Sequence, residues 1–120
     1  MPKKILLIDD NEELCDELAN LFREEGLLVD NASDSAKGAV LIENNRYDGG
    51  IFDYKMKGLT GIDLLKRIKS VNPQCVVFII SGLASIETIL QQENVMDLVA
   101  GIIKKPFEIE MLIQMMLAIC

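Results

Sequence analysis

The 120-residue chain has the size and composition of one globular domain with a single core. Half of its residues are hydrophobic and 26% are charged, an ordinary balance for a soluble fold. The net charge of −7 disfavours direct binding to nucleic acid or to an anionic membrane surface, because both require patches of Lys and Arg. We therefore predict one domain over residues 1–120, with neither nucleic acid nor a membrane as its partner.

The histidine and cysteine contents exclude several kinds of chemistry. The chain has no histidine, which removes histidine-based nucleophilic catalysis and histidine-ligated metals. Cys15, Cys75 and Cys120 are odd in number and far apart in the sequence, so they indicate neither a disulfide framework nor a zinc site. No apolar run approaches the roughly 20 residues of a membrane span, and the N-terminal apolar patch is too short for a signal peptide. We expect a cytoplasmic protein.

Short apolar runs alternate with amphipathic stretches along the whole chain. Four consecutive apolar residues in the first run are typical of a strand buried on both faces. The runs predict strands at residues 3–10, 27–32, 49–55, 74–81 and 98–106. Helical periodicity with capping and breaking residues predicts helices at residues 11–25, from 33 or 34 to 45, 62–71, from 85 to about 95, and 108–119.

Two of the predicted helices have apolar faces that can be checked residue by residue. Ser33 or Asp34 is expected to cap the second helix. Its predicted apolar side consists of Ala36, Ala39, Val40 and Ile42. The apolar stripe of the last helix includes Met111, Leu112, Met115 and Met116.

The alternation of strands and helices predicts an α/β fold with a doubly wound parallel sheet. The carboxyl ends of parallel strands share one edge, and ligands bind there where the strand order switches. Polar groups stand at the ends of four apolar runs. They are Asp9 and Asp10, Asp53, Ser81 and Lys105. We expect these side chains to gather at one edge of the sheet.

Three carboxylates close together repel each other strongly unless positive charge compensates them. Lys105 supplies one positive charge, and a divalent cation would supply two more. The available ligands are oxygens, with no histidine or cysteine nearby, so they favour a hard ion such as Mg²⁺. A magnesium site beside a carboxylate, a hydroxyl and a lysine is an arrangement for phosphoryl transfer.

The sequence resembles the receiver domain of two-component response regulators over essentially its whole length. The matching features are the acidic pair Asp9-Asp10, Asp53, Met56 and Gly61 in a D-x-x-M-x-x-x-x-G loop, Ser81-Gly82, and Lys105-Pro106-Phe107. The resemblance implies a (βα)5 flavodoxin-like fold, a five-stranded parallel sheet with strand order 2-1-3-4-5.

The resemblance also implies a role for each site residue. Asp53 would be the phospho-acceptor, with Ser81 and Lys105 holding the phosphoryl oxygens, and the Lys105–Pro106 bond is expected to be cis. The Mg²⁺ ligands would be Asp10, Asp53 and the main-chain carbonyl of Lys55, with Asp9 close by or acting through water.

The phosphoryl group would come from a sensor histidine kinase or a phosphotransfer protein. Such a domain is not an enzyme beyond its own phosphoryl transfer and slow autodephosphorylation. The sequence leaves open the cognate kinase, the regulated process, and whether an output domain or a second copy of the chain is a further partner.

Three features depart from the family pattern, and two of them, Lys57 and Ile102, favour an alternative function. Lys57 stands where a proline is usual, Ile102 stands where an aromatic side chain is usual, and the segment 81–105 is slightly long. A pseudo-receiver that binds a protein without using phosphate is therefore one alternative. A hydrolase that forms an aspartyl-phosphate is another, although its nucleophile would be expected after the first strand. Taken alone, Asp9-Asp10 could also simply cap the first helix.

Overall fold

The computed structural model describes residues 3–118, which form five parallel strands and five α-helices in strict alternation. The strands are β1 (Lys4–Ile8), β2 (Leu28–Ala32), β3 (Gly49–Asp53), β4 (Val76–Ser81) and β5 (Gly101–Lys104). The helices are α1 (Glu12–Glu24), α2 (Ser35–Asn44), α3 (Gly61–Val71), α4 (Ile86–Gln92) and α5 (Ile109–Ala118), with a short 3₁₀ turn at Met96–Leu98 between α4 and β5.

The strand order is β2-β1-β3-β4-β5, which confirms the predicted doubly wound sheet. Strand β1 pairs with β2 on one side and with β3 on the other. The direction in which the sheet grows therefore reverses next to β1, and this reversal opens a crevice at the carboxyl ends of β1 and β3. Ile8 pairs with Phe52, so Asp9 and Asp53, the residues that follow this pair, enter the crevice side by side.

The strands are almost continuously apolar because each sheet face is covered by helices. Side chains of Leu6, Ile8 and Phe52 belong to the core on one face, which also includes residues of α2, α3 and α4. Those of Ile5 and Leu7 belong to the core on the opposite face, together with residues of α1 and α5. Since successive strand residues point to opposite faces, each strand contributes to both cores and is held rigidly between them.

The structure corrects the predicted apolar side of α2. Asp34 is the cap, accepting a hydrogen bond from the Lys37 amide at 2.7 Å. Ala39 and Ile42 are buried, as predicted, but Ala36 and Val40 are exposed. The helix also buries Ser35 and Gly38. At Gly38 the helix packs so closely on the Ile8 side chain that an added Cβ would stand 2.5 Å from it. The close packing of the helix backbone at Gly38 thus favours a small residue there, and a hydrophobicity pattern does not reveal such a contact.

Near the C-terminus the predictions are partly confirmed. The fifth strand begins at Gly101 and not at residue 98, because Met96–Leu98 form the 3₁₀ turn. In α5, Leu112 and Met116 are buried, but Met111 is 60% exposed. Ile119 and Cys120 lie outside the described residues.

Two smaller expectations concern the cysteines and the membrane. Cys15 and Cys75 are buried free thiols, as expected. Within residues 3–118, no helix has both the length and the apolar character needed to cross a bilayer.

Gly61, the first residue of α3, packs closely against the backbone at the end of β3, next to Asp53. An added Cβ there would lie 2.7 Å from the main-chain oxygen of Asp53, a contact that only backbone movement can relieve. We expect Gly61→Ala to lower the free energy of unfolding by about 1–3 kcal/mol, as overpacking does. Chemical denaturation measures this change. Gly82→Ala is the matched control, because its Cβ would meet only Lys105 Cβ at 3.8 Å; equal losses in the two variants would contradict the steric explanation.

Candidate functional site

The strand ends deliver the predicted polar residues to one edge of the sheet. Asp9 and Asp10 directly follow β1, Asp53 ends β3 and Ser81 ends β4. Lys105 directly follows β5, and its amide donates to the Ser81 carbonyl at 2.9 Å. This main-chain bond extends the β4–β5 pairing by one residue and fixes the point from which the lysine side chain starts.

The three carboxylates form one cluster. Asp9, Asp10 and Asp53 each have an oxygen within 4.8 Å of an oxygen of the other two. Asp9 is fully buried and Asp53 is 5% exposed, whereas Asp10 is exposed. Burial weakens the screening of their mutual repulsion, so the cluster requires a compensating cation.

Lys105 provides part of that compensation. Its ammonium donates a hydrogen bond to Asp53 Oδ2 at 3.2 Å and lies 3.3 Å from Asp9 Oδ2. The neighbouring Lys104 points elsewhere and forms an exposed ion pair with Glu87 at 3.9 Å. The structure therefore places Lys105 and not Lys104 in the carboxylate cluster, as predicted, and the Lys105–Pro106 peptide bond is cis, as expected.

Asp9 retains an oxygen whose hydrogen-bonding capacity is not used. Its Oδ1 accepts from the Asn11 amide at 2.9 Å. Its buried Oδ2 forms no hydrogen bond within the described part of the chain and is compensated by the ion pair with the Lys105 ammonium, at 3.3 Å. Because the same ammonium also pairs with Asp53, it compensates this buried acceptor only in part, and a further cation bound beside Oδ2 would stabilise it.

The electrostatics of the cluster alter the protonation of Asp53 and Lys105. Burial, followed by the negative charge of Asp9, raises the pKa of Asp53 to about 6, although Lys105 opposes the shift. For Lys105, burial acts to lower the pKa, but the charges of Asp9 and Asp53 outweigh it and the pKa is raised. The lysine is therefore firmly charged at neutral pH, whereas ionised Asp53 is held against an unfavourable local potential.

A cavity of about 300 Å³ opens over the cluster. Its lining consists of Asp10, Asp53, Lys55, Ser81, Gly82, Leu83 and Lys105. The buried Ser81 hydroxyl accepts from the Leu83 amide at 3.0 Å, which leaves its own proton free for a group in the cavity. Three carboxylates facing one ammonium, with an orphaned buried oxygen, are a donor set that suits a hard divalent cation such as Mg²⁺.

The loop between β3 and α3 contains a residue contact that sequence reasoning missed. The Ser35 hydroxyl donates to the Lys57 carbonyl at 2.8 Å and accepts from the Leu59 amide at 3.0 Å. A serine at the start of a helix is common, and nothing in the sequence pattern relates it to a loop more than 20 residues away. The departure at Lys57 therefore lies in a loop that Ser35 holds.

The sequence matches the response regulator receiver domain over residues 5–117. The chain belongs to this family. It is 29% identical over 122 residues to Response regulator MprA of Mycobacterium sp. (strain KMS), a match that covers 99% of this chain and 51% of that protein. The chain thus spans about half the length of the curated MprA proteins that it matches.

Solved receiver-domain structures share the fold over nearly the whole chain. The receiver domain of Francisella response regulator 1452 is 31% identical, with a TM-score of 0.83 over 98% of this chain and 95% of that chain. A CheY-like receiver domain protein from Methanospirillum hungatei JF-1 is 25% identical, with a TM-score of 0.87 over 98% and 93% of the two chains. The chain is therefore a receiver domain of two-component signalling, a class of non-enzymatic signalling modules.

Position 102, where the family pattern has an aromatic residue, places a half-buried side chain in the sheet. Ile102 pairs with Ile79 and packs against the core beneath α2, α3 and α4. This chain therefore departs from the family pattern at a sheet position whose side chain is an aliphatic group packed against the core.

The raised pKa of Asp53 has a consequence for stability. Between its ordinary value of 3.8 and about 6, the folded protein keeps a proton that the unfolded chain has lost. Proton binding by Asp53 therefore contributes fully to the free energy of unfolding below pH 4, and this contribution is lost as the pH rises through 6. We expect the unfolding free energy of Asp53→Asn, relative to wild type, to increase by about 2 kcal/mol from pH 4 to pH 7.

Denaturant unfolding of both proteins in chelator-treated buffer measures this difference. Asp97→Asn, which removes an exposed carboxylate of the 3₁₀ turn, is the control and should stay parallel to wild type. A difference between Asp53→Asn and wild type that does not change with pH would contradict the proposed burial effect.

Proposed function

We propose that Asp53 accepts a phosphoryl group from a phosphohistidine of a partner, either a sensor histidine kinase or a phosphotransfer protein, in a Mg²⁺-dependent reaction. The observation that carries the proposal is the contact of the Lys105 ammonium with both Asp53 and Asp9 beside an open cavity that Ser81 also lines. The partner must supply the histidine, because this chain has none. Single-domain organisation over residues 1–120 and a cytoplasmic location belong to the same proposal.

The chain's own residues account for the transfer chemistry. An ionised Asp53 oxygen attacks phosphorus as the bond from phosphorus to the partner's histidine nitrogen breaks, which leaves an acyl phosphate on Asp53. Lys105 already contacts Asp53 Oδ2 and would pair with a phosphoryl oxygen, while the free Ser81 proton would be donated to another. Gly82 lines the cavity without adding a side chain to it.

Asp9, Asp10, Asp53 and the main-chain carbonyl of Lys55 would hold the magnesium ion. When bound, Mg²⁺ supplies positive charge that neutralises phosphoryl oxygens. It also favours the ionised form of Asp53, whose pKa is otherwise raised to about 6. Phosphorylation would then change partner affinity by shifting the population between two conformations.

The first test is phosphorylation by a small acyl-phosphate donor in the presence of Mg²⁺, followed by intact-mass measurement. We expect wild type to gain one phosphoryl group, and the gain to disappear in Asp53→Asn or when a chelator removes the metal. Asp97→Asn is the control and should be labelled like wild type. If wild type binds Mg²⁺ but gains no phosphoryl group, the proposal fails and a phosphate-independent binding module becomes the better description.

A second test concerns the cation alone. Mg²⁺ at a hundredfold excess over its Kd should stabilise the fold by about 2.7 kcal/mol, since it binds only the folded site. Thermal unfolding with and without Mg²⁺ measures this effect. In Asp9→Asn most of the metal-dependent increase in Tm should be lost, whereas Asp97→Asn should retain it. An equal increase in Asp9→Asn would exclude Asp9 from the cation site.

A further inference from the structure

A single buried hydroxyl holds the loop that follows the acceptor aspartate. Ser35 is the first residue of α2 and is 4% exposed. Its Oγ donates to the Lys57 carbonyl at 2.8 Å and accepts from the Leu59 amide at 3.0 Å. The hydroxyl therefore uses both its donor and an acceptor position on peptide groups of the same loop, 22 and 24 residues further along the chain.

The loop has its own anchors only at its two ends. At the start, the Tyr54 amide donates to the Ile80 carbonyl at 2.9 Å, and the Tyr54 carbonyl accepts from the Gly61 amide at 3.0 Å. At the end, Thr60 and Asp63 form a reciprocal capping box. Within the part of the chain that the structure describes, the two bonds to Ser35 are the only hydrogen bonds made by residues 55–59.

The turn at the centre of the loop lies directly against the hydroxyl. Gly58 has a φ of +81°, and an added Cβ there would lie 3.0 Å from Ser35 Oγ. Lys55, Lys57 and Gly58 are exposed, so the loop has little buried surface with which to define its own conformation. Its apolar contacts come from Met56 and Leu59, both only half-buried against the core.

We propose that Ser35 is a positioning residue for the cation site, which acts by holding the Lys55 carbonyl in place through the peptide groups at Lys57 and Leu59. This inference rests on the proposed function, in which that carbonyl is a Mg²⁺ ligand. Ser35 itself does not contact the cation or the phosphoryl group.

Loss of the Ser35 hydroxyl is expected to make the loop more mobile and so to weaken cation binding. The loop lies at the surface, with Lys57 and Gly58 exposed, so we expect water to replace the lost hydroxyl and the fold to survive, while the loop samples more conformations. Binding the cation then requires the loop to be ordered again, and the apparent affinity falls by the fraction of molecules with a correctly placed carbonyl. The affinity for Mg²⁺ should therefore be affected far more than folding.

Ser35→Ala tests the inference with two readouts on unphosphorylated protein. Calorimetric titration should show Mg²⁺ binding weakened by about tenfold, the size of effect that residues supporting a metal ligand produce. Amide hydrogen exchange without metal should show lost protection at Leu59, whose amide no longer has its acceptor.

Asp34→Ala is the matched control. It removes the cap of the same helix, which accepts from the Lys37 amide at 2.7 Å, but leaves both bonds between Ser35 and the loop. It should lower the melting temperature while the Mg²⁺ affinity and the protection of Leu59 stay as in wild type.

The outcomes separate this inference from the function on which it rests. Wild-type Mg²⁺ affinity in Ser35→Ala, or equal weakening in Asp34→Ala, would overturn the positioning role of Ser35. Unchanged Leu59 exchange in Ser35→Ala would also overturn it, because the hydroxyl would then not be ordering the loop. If wild type itself binds no Mg²⁺, the proposed function fails and the positioning inference fails with it. The exchange data would still show whether the hydrogen bonds of Ser35 order the loop.

Discussion

The ammonium of Lys105 lies between two buried carboxylates, and the geometry of the site depends on this contact. It stands 3.2 Å from Asp53 Oδ2 and 3.3 Å from Asp9 Oδ2. Without that charge, Asp9, Asp10 and Asp53 would confront one another in a half-buried crevice with nothing to offset their repulsion. One ammonium does not compensate the cluster fully, because burial and then the negative charge of Asp9 raise the pKa of Asp53 despite Lys105. The remaining negative charge makes the site suited to a further cation.

The sheet makes this unfavourable cluster tolerable because it leaves the strand ends little freedom to move apart. Strands β1, β3 and β4 are buried between two helical layers and joined by continuous parallel pairing. Apolar burial in both cores stabilises this arrangement of strands, so the strand ends keep their positions despite the repulsion among the carboxylates. The fixed strand ends thus keep the carboxylates close together at the carboxyl edge of the sheet, where a bound cation can reduce their repulsion.

The loop beyond Asp53 is constrained differently from the strands. Its residues Lys55, Lys57 and Gly58 are exposed, and a tertiary contact from Ser35 takes the place of burial. Helix α2, which has no residue in the lining of the cavity over the cluster, is thereby connected to the peptide segment beside the acceptor.

The sequence by itself determined the class of fold, the strand order through the family resemblance, and the set of residues at the strand ends. These depend on local hydrophobic patterns and on the shared direction of parallel strands. Tertiary structure alone decided that Gly38 and not Val40 faces the core, that Asp9 keeps an orphaned oxygen, and that Ser35 binds the loop after Asp53. Such features arise from backbone approach and from hydrogen-bond partners distant in sequence, which no local pattern encodes.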